Sequence, residues 1–123
     1  ALKKAIEWSY NPDEYIKRAG FVIMAAYGFA HKNAENHIFE QFFPIIEREA
    51  HDDRVYVKKA VNWALRNIGK RNKDLHKQTL AVANQLLLSE NKTAKWIAKN
   101  AICELEKQNV NILDYPREIY RPK

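Results

Sequence analysis

The sequence predicts an all-α fold of antiparallel helix pairs stacked in series, and three observations carry that prediction. The 123 residues include only three Gly and four Pro, too few for the many turns of a β fold. Ala, Leu, Lys, Glu, Arg and Asn are abundant, and most of these are strong helix formers. A short segment also recurs. Tyr15-Ile16-Lys17-Arg18-Ala19 returns 41 residues later as Tyr56-Val57-Lys58-Lys59-Ala60, and Trp96-Ile97-Ala98-Lys99 follows 40 residues after that.

Each copy is aromatic, β-branched, variable and then basic, and each falls in the first turns of a predicted helix. Helix pairs repeating every ~40–47 residues are the mark of HEAT-like α-solenoids. Residues 1–8, ALKKAIEW, read as the last turns of a helix. Asn11 with Glu14 resembles a capping box, with Pro12 at the first helical position. Further helices are expected near 12–30, 35–49, 54–70, 73–88 and 92–107, with Asp52, Asn72 and Asn91 as N-caps. Pro44 should kink the second of these. The expected organisation is 1–108 as helical repeats, the first pair incomplete, and 109–123 as an extended tail with two prolines. Helix 12–30 is apolar on nearly every face, from Phe21 through Phe29, and must be covered on more than one side. A missing amino-terminal segment or a second subunit is expected to cover it.

Composition narrows the setting. The single cysteine, Cys103, excludes an internal disulfide and suits a reducing cytoplasm. The longest apolar run, Ala19 to Ala30, has 12 residues, too few to cross a bilayer. No apolar stretch closely follows Lys3, Lys4 and Glu7, so the start does not resemble a secretion signal. A cytoplasmic protein without membrane contact is expected. The net charge of +6 is unevenly spread: residues 1–57 hold 7 Lys/Arg against 9 Asp/Glu, and residues 58–123 hold 14 against 6. A basic half carried on helices points to a polyanion partner.

The stretch YVKKAVNWALRNIGKRN, residues 56–72, shows where that partner would lie. At 100° per residue, Val57, Val61, Ala64, Leu65 and Ile68 gather on one side. Lys59, Trp63, Arg66 and Lys70 form a second stripe opposite. A tryptophan among three cations either packs against a neighbouring helix, as most helix tryptophans do, or stands in a groove in which cations track phosphates and an indole face meets a sugar or base.

Taken together, AIEWS (5–9), YIKRAGFVIMAAYGFAHKN (15–33), PIIEREAHDDR (44–54), VKKAVNWALRNIGKRN (57–72) and AKWIAKNAICELEK (94–107) resemble the bacterial DNA alkylation repair family. These are alkylpurine DNA glycosylases of HEAT-like repeats, and the chain resembles their carboxyl-terminal half. The resemblance implies a basic concave face for duplex DNA containing alkylated purines. It implies hydrolysis of the N-glycosidic bond of N3- or N7-alkylated purines, with no cofactor and no metal. Trp63 matches the family's groove tryptophan, and Arg18 its arginine near the scissile nucleotide. Lys59, Arg66, Lys70 and Lys99 are the expected DNA contacts. The family's upstream tryptophan and carboxylate, in a Trp-Asp motif before the AIEWS-like stretch, have no counterpart here, so the 123-residue chain alone is not expected to release bases.

Competing signals are weaker. Trp96 lies opposite the core stripe of its helix, and Ile112, Leu113 and Tyr115 of the tail are expected to cover it. Trp8 reads as a packing residue at a helix end. Glu47, Glu49, His51, Asp52 and Asp53 fit no zinc or calcium spacing, and the histidines His31, His37 and His76 are isolated. Ser9, Ser89 and Cys103 have no triad context. The alternative to a glycosylase is a non-catalytic HEAT-like module for nucleic acid or protein.

Overall fold

A computed structural model describes residues 1–116, and they form helices joined by short loops, with no strand among them. In chain order the helices are α1 (Leu2–Ser9), α2 (Glu14–Ala30), α3 (Asn36–Glu40), α4 (Phe42–Glu49), α5 (Val55–Gly69), α6 (Lys73–Leu87) and α7 (Lys92–Leu105). Packing sorts them into two rows. α2, α5 and α7 lie side by side, with α5 in the middle. α1, α4 and α6 neighbour one another behind them, each also touching its partner in the first row.

The core follows the expected apolar stripes. Val57, Val61, Ala64, Leu65 and Ile68 of α5 are fully buried, as are Phe21 and Met24 of α2 and Ile97, Ala98 and Ala101 of α7. Each of the larger of these side chains contributes about 1.5–3 kcal/mol by leaving water. α2 packs on α5 along one side and on α1 along another. At the second contact Gly20 is indispensable, because a Cβ there would stand 2.8 Å from the Ala5 carbonyl oxygen. A third side of α2, with Ile16 and Ala26, stays open to solvent. α5 is also tied to both neighbours by amide donors: Asn67 Nδ2 donates to the Ala25 carbonyl at 3.1 Å, and Asn62 Nδ2 to the Ile97 carbonyl at 3.2 Å.

Helix starts depart from expectation where several acceptors compete. Asn72 and Asn91 cap α6 and α7, accepting from Leu75 and Ala94 backbone N–H groups. The cap of α2 is Asp13, whose carboxylate accepts from Tyr15 and Ile16, in place of the Asn11, Pro12 and Glu14 arrangement. Asn11 instead accepts from the Asp13 N–H, two residues too early to begin the helix. Asp52 does not cap α5, because its carboxylate is taken up by Lys17 and Arg54. The stretch 35–49 is two helices, not one kinked helix. Pro44 has no N–H to donate to the Glu40 carbonyl, so the chain breaks at Gln41 and restarts with proline in the first turn of α4.

The segment after α7 turns back over the end of α5. Leu113 N–H donates to the Lys70 carbonyl and Tyr115 N–H to the Arg71 carbonyl, both at 2.7 Å. It therefore does not cover Trp96, which stays 38% exposed. The rest of the expected tail, 117–123, lies outside the described residues. At this junction Arg71, only 3% exposed, gathers the end of α2. Its guanidinium donates to the carbonyls of Gly28, His31, Lys32 and Ala34 at 2.8–3.2 Å. Helix C-termini leave carbonyls without internal donors and carry partial negative charge, and a buried guanidinium answers both needs. Burial pulls the Arg71 pKa down to about 10, partly opposed by Tyr115, and the group remains charged at neutral pH.

Replacing this one group should therefore loosen two segments at once. Arg71→Ala is expected to destabilise the chain by about 3 kcal/mol, as for removal of one partner of a buried charged network. Arg71→Lys should recover less than half of that, since one ammonium cannot reach four spread carbonyls. Urea unfolding followed by circular dichroism measures both. A loss under about 0.5 kcal/mol, the size of an ordinary surface substitution, would refute the assignment.

Candidate nucleic-acid interface

The row α2, α5, α7 turns one stripe of each helix to solvent, and the stripes correspond. In α2 it begins Tyr15, Arg18, Val22; in α5 Tyr56, Lys59, Trp63; in α7 Trp96, Lys99, Cys103. All of these residues are exposed except Val22, which is half-buried. Tyr15 and Tyr56 stand in the first turn of their helices, whereas Trp96 stands one turn further along α7. Arg18, Lys59 and Lys99 thus hold the same register within the repeat.

On α5 the stripe is anchored from behind, since the helix packs on α2, α6 and α7. Trp63 is 39% exposed while its neighbours Asn62 and Ala64 are buried. Arg66 is half-buried, and its Nε is out of reach of solvent with no acceptor of its own. Lys70 differs from the other predicted contacts. Its Nζ lies 2.6 Å from Glu104 Oε1, and Lys107 Nζ lies 3.1 Å from the other oxygen of the same carboxylate. Hydrogen bonds from Lys70 and Lys107 hold the Glu104 carboxyl down to about 2, so the ion pair persists at neutral pH. Lys70 meets a phosphate only by sharing itself with Glu104.

Arg18 is exposed, with its guanidinium 5.4 Å from the centroid of the Tyr56 ring. Its backbone is fixed by the residue before it. Lys17 points inward, 8% exposed, and donates to Glu49 Oε1 at 2.5 Å and Asp52 Oδ2 at 3.2 Å. Arg48 and Arg54 complete the network. Burial would raise the Glu49 pKa, but hydrogen bonds from Arg48 and Lys17 outweigh it and leave it below the ordinary value. Asp52 is held well below the usual carboxylate range, chiefly by Arg54 hydrogen bonds working against burial. Two of the acids weighed as metal ligands thus serve to lock α2 against α4 and the start of α5. No group of three or more His, Cys, Asp or Glu suited to a metal occurs among the described residues.

A protein-family model described as DNA alkylation repair enzyme matches residues 1–105. The chain belongs to the DNA alkylation repair family. Searches of curated proteins and of solved structures gave no match. A DNA alkylation repair protein is expected to meet DNA, and the cationic stripes of α2, α5 and α7 are the surface on which its basic residues recur. No helix among the described residues is long and apolar enough to cross a membrane. Sequence reasoning missed the Glu104 partner of Lys70 and the exposure of the three leading rings; the recurrence of aromatic residues at those places was the available signal.

The Lys17 network yields a prediction with a defined pH window. Glu49 and Asp52 have depressed pKa values, so the stability they confer is fully present above their ordinary values near 4 and is lost as pH falls through the folded ones. Unfolding free energy should be insensitive to these acids between pH 7 and 5 and should drop below about pH 4. Lys17→Met should cost about 3 kcal/mol at pH 7, by leaving two buried carboxylates short of a partner, and the penalty should shrink in acid. Equal penalties at pH 7 and pH 3 in denaturant titrations would contradict this.

Proposed function

We propose that the chain is the DNA-gripping part of a HEAT-like solenoid that removes N3- or N7-alkylated purines, its concave face being the stripes of α2, α5 and α7. The observation that carries this reading is Trp63, held open between Lys59 and Arg66 beside the buried Asn62 and Ala64. Lysine and arginine a turn or two apart track phosphates and release counterions on binding. Between them the indole face meets a sugar, or a cationic alkylated base through cation–π attraction of about 1–2 kcal/mol. Arg18 suits a phosphate beside the scissile nucleotide, where its planar fork binds two oxygens.

The chemistry asks for one further group. N3 or N7 alkylation makes the purine a cationic leaving group, so strong protonation is not needed. Positive charge developing on the sugar must be stabilised, and a preorganised carboxylate does this well. The exposed stripes of α2 and α5 carry none, and Glu104 beside them is already shared by two lysines. This favours binding without turnover by the 123 residues alone. Timed release of methylated purine from alkylated duplex DNA tests it: a rate equal to spontaneous loss is expected, and clear turnover would identify a carboxylate of this chain as catalytic.

DNA affinity should fall steeply with salt. Lys59→Ala/Arg66→Ala is expected to weaken duplex binding and flatten the dependence of log K on log salt by roughly two counterions. Glu104→Gln should do the opposite, freeing Lys70 and steepening the slope by about one counterion. Fluorescence anisotropy across a salt series reads both. If the double variant matched the parent at every salt concentration, the stripe would not be the DNA site.

A further inference from the structure

The repeated segment that revealed the fold carries a feature that duplex binding does not use. Its first position is aromatic each time, and all three rings remain in solvent: Tyr15 is 60% exposed, Tyr56 48% and Trp96 38%. They stand at corresponding places on α2, α5 and α7, the two tyrosines side by side and Trp96 linked to α5 through Lys58. The Tyr15 and Tyr56 rings lie 5.8 Å apart at 37°. Cations sit over two of the three: the Arg18 guanidinium 5.4 Å from the Tyr56 centroid and the Lys58 ammonium 4.9 Å from the Trp96 centroid. An exposed tyrosine alone is ordinary, because its hydroxyl prefers water. Three rings at one register of a repeat, two of them with a cation overhead, are a different matter.

We infer that these rings bind unpaired nucleotides of DNA by stacking the bases while the cations hold the phosphates. The inference rests on the DNA-binding reading above and extends it. In duplex DNA the base faces are occupied by neighbouring bases, so a ring face has nothing to stack on. A base out of its stack offers one, and base–aromatic stacking tolerates any sequence because every base has a π face. Charge sets the direction. Lys58 stands over Trp96, and Lys95 and Lys99 flank it in sequence, whereas at the Tyr15 end Asp13 and Glu14 offset the charge of Arg18 and Arg54. The strand therefore runs along the rings from Tyr15 past Tyr56 to Trp96, its phosphates held toward the Trp96 end while Tyr15 receives a base more than a phosphate.

The test uses the full chain and two labelled DNAs, a blunt duplex and the same duplex with a short single-stranded extension, titrated by anisotropy at matched salt. The parent should bind the extended DNA at least about fivefold more tightly, the lower end of what one stacked base supplies. Tyr15→Ala/Trp96→Ala should bring that ratio near one, by weakening the extended DNA at least about fivefold more than the blunt duplex. Tyr15→Phe/Trp96→Phe, which keeps the rings, should retain most of the preference. Circular dichroism confirms that each variant is folded, and should the double alanine variant not fold, Trp96→Ala alone should at least halve the ratio. A parent that binds both DNAs equally, or ring-less variants with the parental ratio, would overturn the inference and leave the duplex reading standing. A parent that binds neither DNA would overturn both.

Discussion

Everything at the candidate interface depends on the enclosure of α5. The helix is packed against α2, α6 and α7, and its buried residues occupy most of its circumference. A helix clamped on so many sides cannot roll, since one residue of rotation would place an asparagine or lysine in the core at a cost of several kcal/mol. The stripe of Tyr56, Lys59 and Trp63 is thereby fixed in orientation by residues that never touch the surface. The apolar pattern that drives folding thus also aims the polar stripe, so no separate device is needed to position Trp63.

Apolar packing sets which face is inside, but it does not fix how far one helix slides along another. Directional groups do that. Asn62 and Asn67 reach from α5 to single carbonyls on α7 and α2. The inward ammonium of Lys17 locks the start of α2 to α4, and the Arg71 guanidinium secures its far end. Each satisfies a polar atom that would otherwise be costly to bury, and a net gain near 1 kcal/mol per hydrogen bond is less important than the penalty for breaking one. Arg18 inherits its position from this arrangement, because its backbone lies between Lys17 and the Gly20 contact with α1.

Helices and core were legible in the sequence because they answer to periodicity, a signal summed over many residues. Features set by a choice between nearby rivals were not. Asn11, Pro12, Asp13 and Glu14 all suit the start of a helix, and Asp13 prevails because its carboxylate reaches two N–H groups. Asp52 reads as a cap until Lys17, 35 residues away, is known to claim it. The break at Gln41 follows from Pro44, though the sequence does not say whether a proline will bend a helix or end it. At the interface, Lys59 and Trp63 were legible as a stripe opposite the core. The pairing of Lys70 with Glu104 joins positions 34 apart on different helices, and local spacing carries no trace of it.

That pairing bears on how a cationic surface handles a cationic base. A face of uncompensated lysines would attract phosphates and repel an alkylated purine, and the two demands conflict if they fall at one place. Here they are separated. On the proposed reading, Arg18, Lys59, Arg66 and Lys99 take phosphates, whose negative charge screens the groove once DNA is bound. Glu104 cancels most of the charge of Lys70 at the far end of the same stripe. Trp63 lies between, neutral and open on one side, and its ring quadrupole favours rather than opposes positive charge. On that reading a cationic base meets the Trp63 ring rather than an ammonium, while the charges of Lys59 and Arg66 on either side are answered by phosphates.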